Sequence, residues 1–397
     1  MEKRRTHILV ECPEKIASVK VGVLDALHPL EETAAIVRFC ETRNIRPEDI
    51  CWADVLVCVR GCEEMTLWIV REAKRHGRFV VYFLDDDLLH LPEDTRAYVF
   101  FHDGGNAEHL REILALSDAL WGVNPLIREE YLPLCGKPRW ICSRVPAHIA
   151  AHSERPEDGK IHVLYAGSED HSALVHELIL PAVHLVREKR SDIDFTFVGA
   201  DPGVRGEAGL RHVPFFSDYA AYRRFVEDGH FALALAPVRL GRFYQCKYYN
   251  KFIEYTSIGA VGIYSDGPLY RQIVTDGETG FFCENTPEAW ANAILCAAEN
   301  PQRLADILHR SETVLCNRFD EKTVAEELTA QLPEFFTYYA PQVPRGFFRL
   351  PNARLVFYRG RVAFLFRTYG VLAVPMILWK AVKKVCHFVF GRRDFSV

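Results

Sequence analysis

Within residues 239–254 the chain gathers Arg239, Arg242, Lys247 and Lys251, with Glu254 the first acid to follow them. They come after the apolar run 231–238 (FALALAPV), which reads as a strand, and lead into 246–259 (CKYYNKFIEYTSIG), which reads as a helix. Free backbone N–H groups and the dipole make a helix N-terminus positive, so cations there cost about 0.3–1 kcal/mol each unless an anion arrives. A bound diphosphate is the economical reading, since a strand's carboxyl end followed by a helix is where phosphates bind in open α/β sheets. A solvated basic loop is the plain alternative. On a continuous helix Lys247 and Glu254 lie two turns apart on one face, about 10 Å. That span suits a cation on a diphosphate and a carboxylate accepting hydrogen bonds from both hydroxyls of a ribose. The simpler alternative for Glu254 is an ion pair with Lys251 or Lys247 at helical spacing.

A second cluster, Asp85, Asp86 and Asp87, follows the run RFVVYFL (78–84). Three adjacent carboxylates repel one another and need a reason. They suit binding of an acceptor hydroxyl and removal of its proton. A D-x-D metal site through Asp85 and Asp87 and a helix N-terminal cap are the competing readings.

Positioning both clusters takes a βα-alternating chain. Runs at 6–10, 18–24, 34–40, 53–59, 78–84 and 119–123 read as strands, several of them apolar throughout, as parallel strands buried on both faces are. Segments 63–77 and 106–118 read as amphipathic helices, the first closing at Gly77. Around 146–160 (PAHIAAHSERPEDGK) periodicity gives way to proline, charge and glycine, an interdomain linker. A second series follows, with strands at 161–167, 193–199, 210–215, 230–238 and 260–266 and helices between and after them. The expected architecture is α/β: two Rossmann-like domains, 1–148 and 160–335, facing across a cleft, and then a cross-over helix and basic amphipathic tail, 336–397.

With 49% hydrophobic and 25% charged residues among 397, the chain can bury a sizeable core. Its twelve cysteines form no C-x-x-C pair, so they read as reduced thiols. The first apolar run stops at Glu11, which makes it a strand and not a signal peptide, and the expected location is cytoplasmic. From Arg345 onward eleven basic residues stand against one acid, leaving 37 basic and 52 acidic residues before them: a body of −15 with a tail of +10.

The segment KYYNKFIEYTSIGAVGIYSDGPLYRQIVTDGETGFF (247–282) resembles the donor half of GT-B-fold retaining glycosyltransferases, the group 1 or family 4-like enzymes related to sucrose synthase and bacterial lipid mannosyltransferases. Segments 165–186 and 286–307 are similar to the opening and closing elements of that donor domain, so the resemblance covers about 160 to 325. It implies a sugar transferred from a nucleotide-diphosphate-sugar to a saccharide or lipid-linked acceptor in surface-polysaccharide or glycolipid synthesis. Glu254 matches the second glutamate of the E-x7-E motif, the ribose ligand, while Cys246 occupies the place of the first. Gly167, Ser168 and His171 stand where a phosphate-binding Arg and Lys are usual, with Ser168 and His171 as donors to phosphate. Gly199 reads as a point of close backbone approach to the base. Lys247, helped by Arg242 or Lys251, is expected to neutralise the leaving diphosphate. No metal, cofactor or nucleic acid is expected beyond the nucleotide sugar. The rival readings are a UDP-sugar epimerase of the same architecture and a non-catalytic accessory subunit.

Residues 345–397 mix aromatics, leucines and bases as an interfacial helix does, so peripheral contact with an anionic membrane, on the inner face of the cytoplasmic membrane, is expected. The longest uncharged apolar run, Thr368 to Trp379, is twelve residues and holds Pro375. That is short of the about twenty a spanning helix needs. The alternative is a segment packed across the first domain.

Overall fold

The computed structural model describes residues 4–379, apart from 32–33, 94, 103 and 151–157. Two six-stranded sheets, parallel throughout, carry the fold. The first contains β1 (Thr6–Cys12), β2 (Ala35–Glu41), β3 (Val55–Val59), β4 (Phe79–Leu84), β5 (Ala119–Gly122) and β6 (Trp140–Cys142), in the order β2-β1-β3-β4-β5-β6. The second contains β7 (Ile161–Gly167), β8 (Ile193–Gly199), β9 (Leu210–Val213), β10 (Leu233–Ala236), β11 (Val261–Ser265) and β12 (Phe281–Cys283), in the order β12-β11-β10-β7-β8-β9. Strands such as VLVCV and FVVYFL are buried at every position because helices cover both faces, which is why they lack alternation.

In each sheet the winding reverses beside the first strand, leaving a switch point between β1 and β3 and another between β7 and β10. Crevices outside the carboxyl ends at such points are where open α/β sheets take ligands.

One expected strand is a helix. Residues 18–24 belong to a helical run from Ala17 to Glu31 that includes a π turn at Lys20–Leu24. The valines alternate, but the buried positions Val19, Val23, Ala26, Leu27 and Leu30 recur at helical spacing, and that longer pattern decides the matter. The short strands β6 and β12 carry too little pattern to be legible alone.

The 146–160 segment is only partly a free linker, since Ala147 N donates to Phe319 O at 2.8 Å and Ala150 N to Ser257 O at 2.9 Å. After the second sheet the chain returns to the first. The Gln331 side chain pairs with the backbone of Cys142 in both directions, and Arg144 with Glu327. Helix Glu321–Gln331 is therefore tied to β6, before the expected boundary at 335. All eleven cysteines among the described residues are free thiols.

At the end of β1 sits Glu11, fully buried, accepting from the hydroxyls of Thr42 and Thr66. Burial pushes its carboxyl up to about 7 against those two hydrogen bonds. A folded-state value above the unfolded one means the neutral acid contributes stability at low pH that is lost as pH rises through about 7. The shift corresponds to roughly 3 kcal/mol. Glu11→Gln is expected to flatten the fall in denaturant midpoint between pH 5 and pH 8; an unchanged slope would exclude Glu11 as its source.

Candidate functional site

The second sheet's switch point brings the predicted donor residues to one edge. Gly167, Ser168 and His171 follow β7, Gly199 ends β8 beside it in register with Gly167, and the basic loop follows β10 on the other side. His171 closes the 3-10 turn Glu169–His171, its N–H donating to Ser168 O at 3.0 Å. A Cβ at Gly167 would come within 2.7 Å of the Tyr165 hydroxyl and 3.3 Å of the His171 ring, so glycine is what lets that ring lie over the strand end.

Gly199 makes a close approach within the sheet itself. Its φ is +86°, and a side chain there would collide with the Gly167 carbonyl oxygen, which accepts from Ala200 N at 3.0 Å. That close contact is strand end to strand end. Gly199→Ala should destabilise the chain by about 2 kcal/mol through positive φ and this clash, read from urea unfolding. An effect within error would mean that the loop relaxes.

The basic segment is not one helix. A single turn, Arg242–Gln245, is followed by a break, and the helix carrying Glu254 begins only at Asn250. Asn124 explains the break: its side-chain amide donates to Gln245 O at 2.9 Å and to Lys247 O at 2.8 Å while its oxygen caps the helix Pro125–Tyr131. Carbonyls claimed from the first sheet's side do not continue a helix. Buried Tyr248 adds a further tie, its hydroxyl accepting from Val145 N at 3.1 Å. Lys247 therefore lies off the Glu254 helix, and the two-turn spacing does not apply.

What Lys247 meets instead is the other cluster. Its Nζ is 2.8 Å from Asp86 Oδ1 and 4.5 Å from the centre of the Phe243 ring. Asp86 is held from the other side by Arg60 at 2.7 Å, and the Arg60 Nε is 3.4 Å from Asp85. Burial disfavours ionisation of both carboxyls. At Asp86 the Arg60 and Lys247 cations outweigh it and hold the group below the ordinary carboxylate range, whereas at Asp85 burial prevails and pushes the group up. Neighbouring carboxyls driven apart in this way can divide the roles of base and neutral hydrogen-bond donor.

Asp87 behaves differently and corrects its assignment as an acceptor-facing carboxylate. Its side chain is 0% exposed and accepts from Tyr131 at 2.8 Å, His90 at 2.9 Å, Arg242 at 3.3 Å and the Cys246 thiol at 3.5 Å. It is a post that joins the two halves of the site. Nor do the three aspartates cap a helix, since no cap bond forms at the turn Leu88–His90. Cys246 is fully buried, its thiol pushed up to about 12 by burial and by Asp87.

Glu254 accepts from the Tyr222 hydroxyl and pairs with Lys251 at 2.8 Å, the local pairing named as its simpler alternative. Arg239 follows β10 on the loop before Gly241, whose φ is +123°.

Four residues of this site escaped the sequence reading: Arg60, Asn124, Tyr131 and Tyr222. Arg60 is one of two non-glycine residues with positive φ among those described, at +55°, and its N–H stays in the ladder to Phe83 O. A cation directly after the buried run VLVCV was a legible signal, as was Asn124-Pro125 as a helix start. Nothing in the sequence marks Tyr131 or Tyr222.

Comparison with known proteins bears on the second sheet and on the fold. Residues 160–300 match the family Glycosyl transferases group 1. A sequence comparison with curated proteins gives no match. Solved structures match across both sheets. Anabaena HepE, crystallised with UDP and glucose, is 12% identical with a TM-score of 0.59, covering 83% of this chain and 100% of its own. Sucrose-phosphate synthase from Thermosynechococcus elongatus is 13% identical (TM-score 0.58; 84% and 99% covered). A glycosyltransferase from Rickettsia africae is 10% identical (TM-score 0.58; 84% and 99% covered). The shared feature is the fold, which is GT-B.

Proposed function

We propose that this chain is a retaining, metal-independent glycosyltransferase working in the cytoplasm on surface-polysaccharide or glycolipid synthesis. The observation that carries the reading is the Lys247–Asp86 contact of 2.8 Å, which sets the group 1 domain's cations against carboxylates at the first sheet's carboxyl edge. A nucleotide-diphosphate-sugar binds at the β7/β10 switch point, with Ser168, His171 and the end of β7 toward the phosphates and Glu254 on the ribose. Lys247, Arg242 and Lys251 supply positive charge to the leaving diphosphate, the largest contribution such sites make. Asp86 accepts the proton of the acceptor hydroxyl as the hydroxyl oxygen bonds to the anomeric carbon on the same face from which the diphosphate departs with the electrons of the broken C–O bond, so that configuration is retained. The acceptor is a saccharide, free or lipid-linked.

In the resting chain Lys247 and Arg242 are already paired, with Asp86 and Asp87, so the donor's phosphates compete with first-sheet carboxylates for the same cations. Support for a uridine donor comes from HepE, crystallised with UDP. A thermal-shift screen of nucleotide diphosphates and their sugars, UDP first, tests the reading. A rise in melting temperature followed by acceptor-dependent release of nucleotide, unaffected by EDTA, is expected. If no nucleotide diphosphate raises the melting temperature, the reading fails. Cys246 in place of a glutamate favours a second reading, an accessory subunit that binds donor without transferring it; binding with no transfer to any acceptor would support that one.

A further inference from the structure

Residues 345–364 pack on the first sheet's side of the molecule, as the alternative to membrane contact required. Arg359 pairs with Glu64 at 2.6 Å, and Arg361 with Glu63 at 2.7 Å and Glu14 at 3.5 Å. Phe364 meets Phe100 edge to face. Glu14 follows β1 and Glu63 follows β3, so this helix, Ala353–Tyr369, is pinned beside the carboxyl edge that carries Asp85 and Asp86.

Beyond Arg361 the packing thins to contacts such as that of Phe364 and to buried Ala373, while the apolar character continues. Val362, Phe366, Val371, Leu372, Leu378 and Trp379 are 37–83% exposed. The 27-residue stretch Ala353–Trp379 is long and apolar enough to cross a membrane, with a best window of mean hydropathy 1.7 that is 6% buried. This corrects the expectation of a run too short to span, because a single Arg367 interrupts residues 362–379.

We propose that this helix and the segment after it are a docking surface for an anionic phospholipid bilayer, lying in the headgroup region and not crossing it. Three observations select that occupant. A stretch so apolar and so exposed is not a core helix, and contiguous exposed apolar surface marks a partner site. The sequence continues with Lys380, Lys383, Lys384, Arg392 and Arg393 against Asp394 alone, which complements anionic headgroups, in contrast to a body of net −15. Bases flank the apolar stretch on both sides, and a single span would force one basic flank across the membrane. Pro375 and the break at Gly370, with φ +55°, fit a segment that follows a surface. Trp379 sits at its basic end, where an interfacial indole is favoured. Docked so, the Asp85–Asp86 edge lies next to the bilayer.

Sedimentation of the full chain with vesicles tests this, and it requires no catalytic activity. The expected result is binding to phosphatidylcholine–phosphatidylglycerol vesicles, much weaker binding to phosphatidylcholine alone, loss at high salt, and release by alkaline carbonate. Leu372→Glu with Leu378→Glu should weaken binding at least tenfold, and Lys383→Gln with Lys384→Gln should do so without touching the apolar face. Both positions of the first pair are exposed, and an unchanged melting curve confirms folding. Wild-type chain left in the supernatant overturns the proposal, as does equal binding to neutral vesicles. Resistance to carbonate overturns the interfacial arrangement in favour of a span. A dimer abolished by the glutamate pair, with no vesicle binding, assigns the face to a second copy.

Discussion

Lys247→Ala is expected to lower the rate of sugar transfer by about 10²- to 10³-fold, the cost typical of removing one preorganised charge from a developing anion. The Nζ is pre-placed by three features that need no ligand: the Asp86 carboxylate at 2.8 Å, the Phe243 ring at 4.5 Å and the Asn124 bond to its own carbonyl at 2.8 Å. Lys247→Arg should recover part of the rate, since charge is retained while geometry changes. Affinity for UDP should fall with the alanine variant too, because the diphosphate carries its charge before and after the bond breaks. Calorimetric titration of UDP alongside turnover separates the two effects. Values within twofold of wild type in both would remove Lys247 from the phosphate site.

Asp86→Asn should move binding and catalysis in opposite directions. If Asp86 is the proposed base, its loss lowers turnover by about 10²- to 10⁴-fold, the range for general acid–base groups. Donor binding tightens by several-fold, because Lys247 and Arg60 no longer face a competing carboxylate at 2.8 and 2.7 Å. With Asp86 held below the ordinary carboxylate range by those cations, wild-type activity persists as pH falls past that range and is lost only when the depressed group protonates. The asparagine variant lacks that acidic limb. Weaker UDP binding in Asp86→Asn, measured by the same titration, would contradict the competition and leave Asp86 as a scaffold residue.

The two sets of chemically loaded residues were legible for different reasons. Arg239, Arg242, Lys247 and Lys251 stand out because charges of one sign rarely accumulate after a buried apolar strand without a ligand to meet. Asp85 to Asp87 stand out because adjacent carboxylates repel. Neither signal says what answers the charge. The sequence allows Lys247 a phosphate or Glu254, and the fold supplies Asp86, 161 residues away in the chain. Likewise Asp87 reads as a free carboxylate until Tyr131, His90 and Arg242 are seen to converge on it.

By itself the sequence determined the alternation of strand and helix, the two parallel sheets and the strand ends on which the charged residues stand. Those follow from hydrophobic period and run length, which are local properties. It also determined the charge contrast between body and tail. Only the tertiary structure decided that the basic segment breaks between Gln245 and Asn250, because Asn124 takes the carbonyls of Gln245 and Lys247 from the first sheet's side. The same holds for residues 18–24, which are helical, and for Arg359 and Arg361, which face glutamates of the first sheet before any lipid. In each case the outcome depends on a partner distant in sequence, and pairing across such distances is settled by packing, not by the local pattern of the chain.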